Sequence, residues 1–451
     1  MDMSNGVTYS DKMETALNTP PLLCREIRSR KARMNCSNGS TFTAGQEIRI
    51  PITLQNGVIA QNSAMFYGTL TKTGISQSAT IDFSTFCLFD SVRVEAGAGG
   101  GSTILELCDD IGVFHSFLTM NTNSLSDLQY NNLTTGGASG GNYMPVASSI
   151  ASGLYDLDRA GEILTESTTN VNKVLPFALN LSEAMGLFTQ NIVLSGTTGI
   201  CLVLRVAQIT SQAVYEIDAT YTTPPPLSVN QPYLMATILE GGDKYEKALK
   251  DMKSGPNGEV SIMFNTYSRY VQNIAGSGAA QANIQLLISD TAKSALGYIA
   301  VSRPTAAITN SVDYKNSSSA WNEYQNHALS VGGVLYPQNP ISSPIENYEE
   351  VRDLYKVISR KHQFGSVLNR VQGLVGPDYN GEGNGPATVL AVNLCKCDDK
   401  NVWGIGANTT GAQSVFLQVS YSPAEATTVH IFALRQQKVH IDGMGNFSVE
   451  K

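Results

Sequence analysis

Four clusters in the chain hold residue types that can do chemistry. Gly137-Ala138-Ser139-Gly140-Gly141 has the G-x-S-x-G spacing of a nucleophile elbow. That device needs a buried strand before the serine and a helix after it, and here both flanks are Gly, Thr and Asn. Asp378, Asn380, Glu382 and Gly383 copy the first half of a calcium loop, but Val389 stands where a bidentate Glu is required. Cys395-Lys396-Cys397 is too tight for a zinc knuckle and has no second pair. Gly97 to Thr103 is rich in glycine but lacks the Lys-Ser/Thr of a phosphate loop. The five histidines (His115, His327, His362, His430, His440) form no ligand pair, and His430 and His440 sit in strand patterns that suit a solvated or hydrogen-bonded ring. Trp321 and Trp403 read as isolated core or loop anchors. The residues predict no enzyme, no metal, no cofactor and no small-molecule substrate.

The charged residues point elsewhere. Arg25, Arg28, Arg30, Lys31 and Arg33 form a basic cluster diluted only by Glu26, within residues 1–40 that show no sustained periodicity. These residues are the candidate interaction site, on an N-terminal arm that is either solvated or laid against something negative. That could be a phosphate-bearing surface or an acidic neighbouring subunit. The chain as a whole carries a formal charge of −8, which argues against binding nucleic acid over its whole surface. Seven cysteines at irregular spacing predict reduced thiols, mostly buried, rather than a disulfide framework, and a protein made inside a cell. Met1 to Ser10 is polar, no run of apolar residues is long enough to span a bilayer, and seven N-x-S/T sequons are expected by chance in a chain so rich in Asn, Ser and Thr.

Positioning falls to an all-β framework. At 451 residues the chain is too long for one core, and 42% hydrophobic with 15% charged residues and 40 Gly suits turn-rich sheets. Ala328 to Val331 alternates as a strand, Gly332-Gly333 breaks it, and Val334-Leu335-Tyr336 resumes it. Pro337, Pro340 and Pro344 are then expected to exclude pairing or helix until Asn347. From Asn347, as cap with Glu350, the spacing of Val351, Leu354, Tyr355 and Ile358 predicts a helix with one buried face. Ser91 to Leu118 copies that unit: strand, glycine break, short strand, then a helix headed by Asp109 and Asp110 with Leu107, Ile111, Phe114 and Leu118 on one face. A second echo pairs Ile200–Val206 and Val214–Tyr221 with Val415–Tyr421 and Val429–Leu434. Both repeats lie a little over two hundred residues apart, the span of a sandwich domain.

Further strands are predicted at 64–70, 80–83, 174–181, 260–271, 284–288, 296–301 and 388–394, the first strand of the ordered part at 42–52, and a short helix at 243–253. The expected division is an arm at 1–40, a first jelly roll at 41–230, a linker with a short helix at 231–258 marked by Pro224-Pro225-Pro226, and a second jelly roll at 259–451.

Two such halves, each with a helix after a mid-domain strand, resemble the double-jelly-roll major capsid proteins of tailless icosahedral DNA viruses, the lineage of adenovirus hexon and of tectivirus, polinton-like virus and virophage coats. The likeness is carried by Phe42–Ile52 after the basic arm, Phe89–Val94 leading to Leu105–Asp110, Ala213–Ile217 running through the prolines towards Tyr245, and Leu329–Pro340 with its helix. It implies two tandem eight-stranded jelly rolls and a homotrimer forming a pseudo-hexagonal capsomer of an icosahedral virion. Neighbouring capsomers, penton and minor capsid proteins would be its partners, with an inner membrane or genome under the basic arm. The loops at 121–169 and 376–385 would then be outer or tower loops. The competing readings are a two-domain β-sandwich that binds or processes glycans, kept open by the 19 Tyr, and a single jelly roll with a separate protruding domain.

Overall fold

The computed structural model describes residues 28–54, 57–73, 79–81, 85–97, 103–122, 172–194, 197, 199–208, 214–216, 227–241, 260–276, 281–289, 291–305, 321, 325–358, 389–395, 403–411, 414–421, 426–442 and 445–451. The principal strands of the first half are β1 (Arg28–Asn35), β2 (Glu47–Ile52), β3 (Met65–Thr73), β4 (Phe89–Ala96), β5 (Ile104–Asp109), β6 (Asn172–Asn180), β7 (Ile200–Val206) and β8 (Leu227–Glu240). Those of the second half are β9 (Val260–Ile274), β10 (Gln281–Ile288), β11 (Ala295–Pro304), β12 (Asn326–Val331), β13 (Val334–Ile341), β14 (Leu390–Asn393), β15 (Val415–Tyr421) and β16 (Thr427–Ile441). Helix α1 (Ile111–Thr122) follows β5, and α2 (Pro344–Ile358) follows β13.

The pairing is antiparallel and is the same twice. In the first half β8 lies between β1 and β3, with β6 beyond β3, and the facing sheet runs β2-β7-β4-β5. In the second half the sheets run β9-β16-β11-β14 and β10-β15-β12-β13. Each strand of one half thus has its counterpart eight places on, and each helix connects the fifth strand to the sixth. This is the jelly-roll plan, built twice in tandem. Alternation produces it: Ile48, Ile50 and Ile52 of β2, and Leu234, Ala236 and Ile238 of β8, all turn inward and are buried.

Several boundaries differ from the sequence reading, each for a local reason. The second echo was misaligned. The counterpart of 429–434 is not the run at 214–221, of which Val214–Glu216 pairs with Ala79–Ile81, but β8 beyond the three prolines. Pro224 to Pro226 therefore precede the last strand of the first roll, and residues 231–240, expected in a linker, complete its sheet. Likewise Arg28–Asn35, expected in an arm, is paired along its whole length with β8, from Arg28↔Glu240 to Asn35↔Tyr233.

Pro337 and Pro340 do not end β13. Among the described residues it is an edge strand paired only with β12, and the ladder slips between His327 and Leu329, so neither ring displaces a needed donor there. Helix α2 begins at Pro344, where a missing N–H costs nothing, and the Ser343 hydroxyl accepts from the Ile345 amide. Asn347 is instead inside the helix and buried. Its side chain donates to Val389 O (2.9 Å) and accepts from the Ala391 amide (3.2 Å), while Glu350 accepts from the Asn393 amide (2.8 Å), tying α2 to β14. Val351, Leu354 and Tyr355 are buried as the spacing predicts. Leu107 belongs to β5, not to α1, and is exposed. Of the loop expected at 121–169, the first two residues end α1, and the rest lies outside the described residues, as do the expected helix at 243–253 and the loop at 376–385.

Candidate functional site

A buried polar region lies at the seam where the first roll meets the second. β16 shows why it is dry. Val429, Ile431 and Ala433 face the core of the second roll, whereas Phe432 and Leu434, on the opposite face, belong to the cluster continuous with the first roll. Every residue of β16 from Thr427 to Gln437 is buried, so both faces of this strand are covered. Phe114 of α1 lies 4.2 Å from Tyr267 of β9 and 5.2 Å from Phe432, and the latter two meet edge to face at 5.4 Å. Each such ring removed from water is worth roughly 1.5–3 kcal/mol.

Polar groups fix the docking angle. Asp110, held at φ 49° between β5 and α1, pairs with Arg269 of β9 and accepts from His430 Nδ1 at 2.9 Å. Arg303 stands 3.5 Å from His430 Nε2, so the ring is neutral, donating through Nδ1 and accepting at Nε2. Burial keeps His430 below its usual value despite the carboxylate. Burial alone would raise Asp110, but the hydrogen bond from His430 and the charges of Arg269 and Arg303 hold it below the ordinary carboxylate range. Tyr267 Oη donates to Asp109 O (3.2 Å), and Gln437 Nε2 donates to Leu105 O.

Glu106 supports this contact from behind. Its two oxygens accept from the amides of Gly186 (2.8 Å) and Leu187 (2.9 Å), and complete burial pushes its carboxyl up to about 7. The turn so held lies flat on β9: a Cβ on Gly186 would overlap the Asn265 carbonyl oxygen. A charged residue between two leucines reads as outward-facing, so Glu106 was missed. The helix-heading acid Asp110 was noted, without its partners.

The basic cluster falls partly within view. Arg25 lies outside the described residues; Arg28, Arg30, Lys31 and Arg33 are exposed along β1. Arg30 pairs with Glu240, and the Arg33 guanidinium lies 3.8 Å over the Tyr233 ring, which stacks on Tyr67 at 5.0 Å. Trp321 is an interior anchor donating to Ala300 O, and Trp403 carries the Lys438 ammonium on its face at 4.1 Å. Cys87, Cys108 and Cys201 are buried thiols, and Cys36 and Cys395 half-buried ones. Ser139 and the half calcium loop lie outside the described residues. Among the described residues no three His, Cys, Asp or Glu side chains converge as metal ligands, and no helix is long and apolar enough to cross a membrane.

No protein-family model matches the chain, and no curated protein matches it. Solved structures do. PBCV-1 VP54, fitted into a reconstruction of the virophage Sputnik, aligns over 94% of this chain and 97% of its own at 11% identity with a TM-score of 0.59. The Faustovirus major capsid protein aligns over 94% and 91% at 9% identity and 0.58. The mavirus major capsid protein aligns over 93% and 90% at 8% identity and 0.55. These likenesses take in both rolls and both helices, and the chain has the double-jelly-roll fold of those viral capsid proteins.

Proposed function

We propose that this chain is the major capsid protein of an icosahedral virus, in which three copies close into a pseudo-hexagonal capsomer and capsomers tile the shell. The observation that carries it is the repetition of one strand order in two rolls joined by a buried seam. Two rigid, similar blocks per chain give six per trimer, and six similar blocks can occupy the corners of a hexagonal tile. The role is structural: the buried carboxylate Glu106 is engaged by two backbone amides and holds a turn at the seam. Shell closure adds contacts to neighbouring capsomers, pentons and minor capsid proteins. Arg25 and the chain before β1 are the candidates for contact with an inner membrane or genome.

The test is the solution mass of the purified protein. The reading expects about 145 kDa, three times the 48.3 kDa chain, persisting on dilution as permanent interfaces do. Electron micrographs of concentrated protein should show hexagonal tiles or shells. A stable monomer that binds or cleaves a glycan overturns it.

A further inference from the structure

On the face of the second roll that meets the first, Arg269, His430 and Arg303 stand close together on three neighbouring strands, β9, β16 and β11. Asp110, from the first roll, answers all three: it pairs with Arg269, accepts from His430 Nδ1 and lies in the field of Arg303. His430 is 5% and Arg303 1% exposed, so these groups meet with little help from water. Both ring nitrogens of His430 are committed. Nδ1 donates to Asp110, so Nε2, 3.5 Å from Arg303 Nη1, is an acceptor set against a donor. A second proton on the ring would make Nε2 a donor too. Two N–H groups would then oppose one another inside the seam, and Asp110 would be left to balance Arg269, Arg303 and the imidazolium together.

We propose that His430 is an acid-operated latch on the seam: protonation of its ring expels it from between Arg303 and Asp110 and lets the two rolls part from that end. The contacts along β16 show how the parting would run. His430 holds one end, Phe432 packs on Phe114 in the middle, and Gln437 donates to Leu105 O at the other. The Gln437 end carries no group that changes on acidification, because nearby Glu106, raised to about 7 by burial, already holds its proton in acid. That end stays closed as the hinge. At the latch end Asp110 sits at φ 49°, a conformation few L-residues adopt unaided, where β5 turns into α1. Release of its partner therefore reaches α1 directly.

The other titratable groups around the ring do not oppose this. Tyr267 of β9, raised well above its ordinary value by burial, stays neutral throughout. Asp109, raised by burial, gains its proton early and removes a negative charge from beside Arg269. Helix α1 brings only His115, which faces Glu183 at 3.5 Å. Burial holds His430 itself below its ordinary value of 6.5, so the latch contributes fully above 6.5 and is lost as pH falls from there to the folded value. The latch belongs to the single chain and is independent of whether three copies assemble.

Hydrogen exchange of the full chain, read by mass spectrometry from about pH 7.5 to about pH 4.5 and corrected for the intrinsic rate at each pH, tests this. Peptides from residues 110–118 should open about tenfold more per pH unit below 6.5 until the folded value is reached. Strand Val415–Tyr421, in the sheet of the second roll away from the seam, should not follow them. His430→Gln keeps a donor and an acceptor but gains no proton, and should abolish the slope. Arg303→Met removes the donor set against Nε2, so the ring takes its proton in place and the seam should stay shut in acid. His327→Gln, at the buried histidine on β12, should leave the slope as in the wild type. If His430→Gln is open at every pH, Arg303→Met decides, since it leaves the ring in place. A wild-type seam that does not open in acid, an acceleration shared equally by Val415–Tyr421, or a slope that survives in either seam variant each overturn the latch.

Discussion

Two buried ionisable residues, Glu106 and His327, set opposite pH dependences on the same fold. Glu106 is pushed up to about 7 from 4.5 by burial, so between those values the folded chain keeps a proton that the unfolded chain has released. Its contribution is complete below pH 4.5 and is lost as pH rises through about 7. His327 is pushed down from 6.5 to about 4 by burial, against a bond to Ala391 O at 2.8 Å. Its contribution is complete above pH 6.5 and is lost as pH falls through about 4. Each amounts to about 3 kcal/mol at full extent, so in the wild type the two largely offset one another. Urea unfolding between pH 4 and 7.5 should therefore separate the single variants. Relative to wild type, His327→Gln should lose stability more steeply as pH rises, and Glu106→Gln more steeply as pH falls. Parallel curves for the two variants would refute the opposition. Neither residue announces this in the sequence, because Glu106 alternates with leucines like a surface acid and His327 precedes an ordinary strand run.

At the level of elements, the seam depends on how closely the turn at Gly186 approaches β9. Its φ of −66° is open to any residue, so what demands glycine is space alone: the Asn265 carbonyl oxygen and the Phe264 ring occupy the room a methyl needs. Gly186→Ala should cost ~1–3 kcal/mol or more by forcing the rolls apart, with the loss appearing as a lower urea midpoint. Increased tryptic cleavage near the seam should accompany it. An unchanged midpoint would mean that the turn yields and the seam is not tightly fitted.

The sequence displays elements unevenly, for reasons that the structure makes plain. Helix α2 is legible because Val351, Leu354 and Tyr355 recur on one face against β14. Helix α1 is blurred because it is buried at every position from Ile111 to Leu118, so no polar face marks its period there. β1 is concealed because it turns only Ala32 and Met34 towards the core and carries four cations, the composition of a solvated arm. β13 is concealed by prolines that an edge strand tolerates.

For the whole molecule, the duplication was visible as a period of some two hundred residues, but the phase of its last strand was not. The prolines at 224–226 resemble a domain border, and only the pairing of β8 with β1 and β3 shows that the first roll closes after them. That shift changes what removal of the N-terminus should do. A cut at residue 40, harmless if those residues were a free arm, strips β1 from the outer side of β8 and opens the edge from Tyr233 to Glu240. The truncated chain should lose the partial cover that Ala32 and Met34 give the first core, the Arg30–Glu240 pair and the cation over Tyr233. It should melt at a lower temperature, aggregate through the bared strand and form no trimer. A cut at residue 27 leaves every one of these contacts in place and should preserve both the melt and the trimer, at a mass below three times the 48.3 kDa of the full chain by the residues removed. The comparison of the two truncations by calorimetry and sedimentation thus asks whether the basic stretch serves as a strand of the roll or as a detachable arm. Equal behaviour of both would return it to the arm.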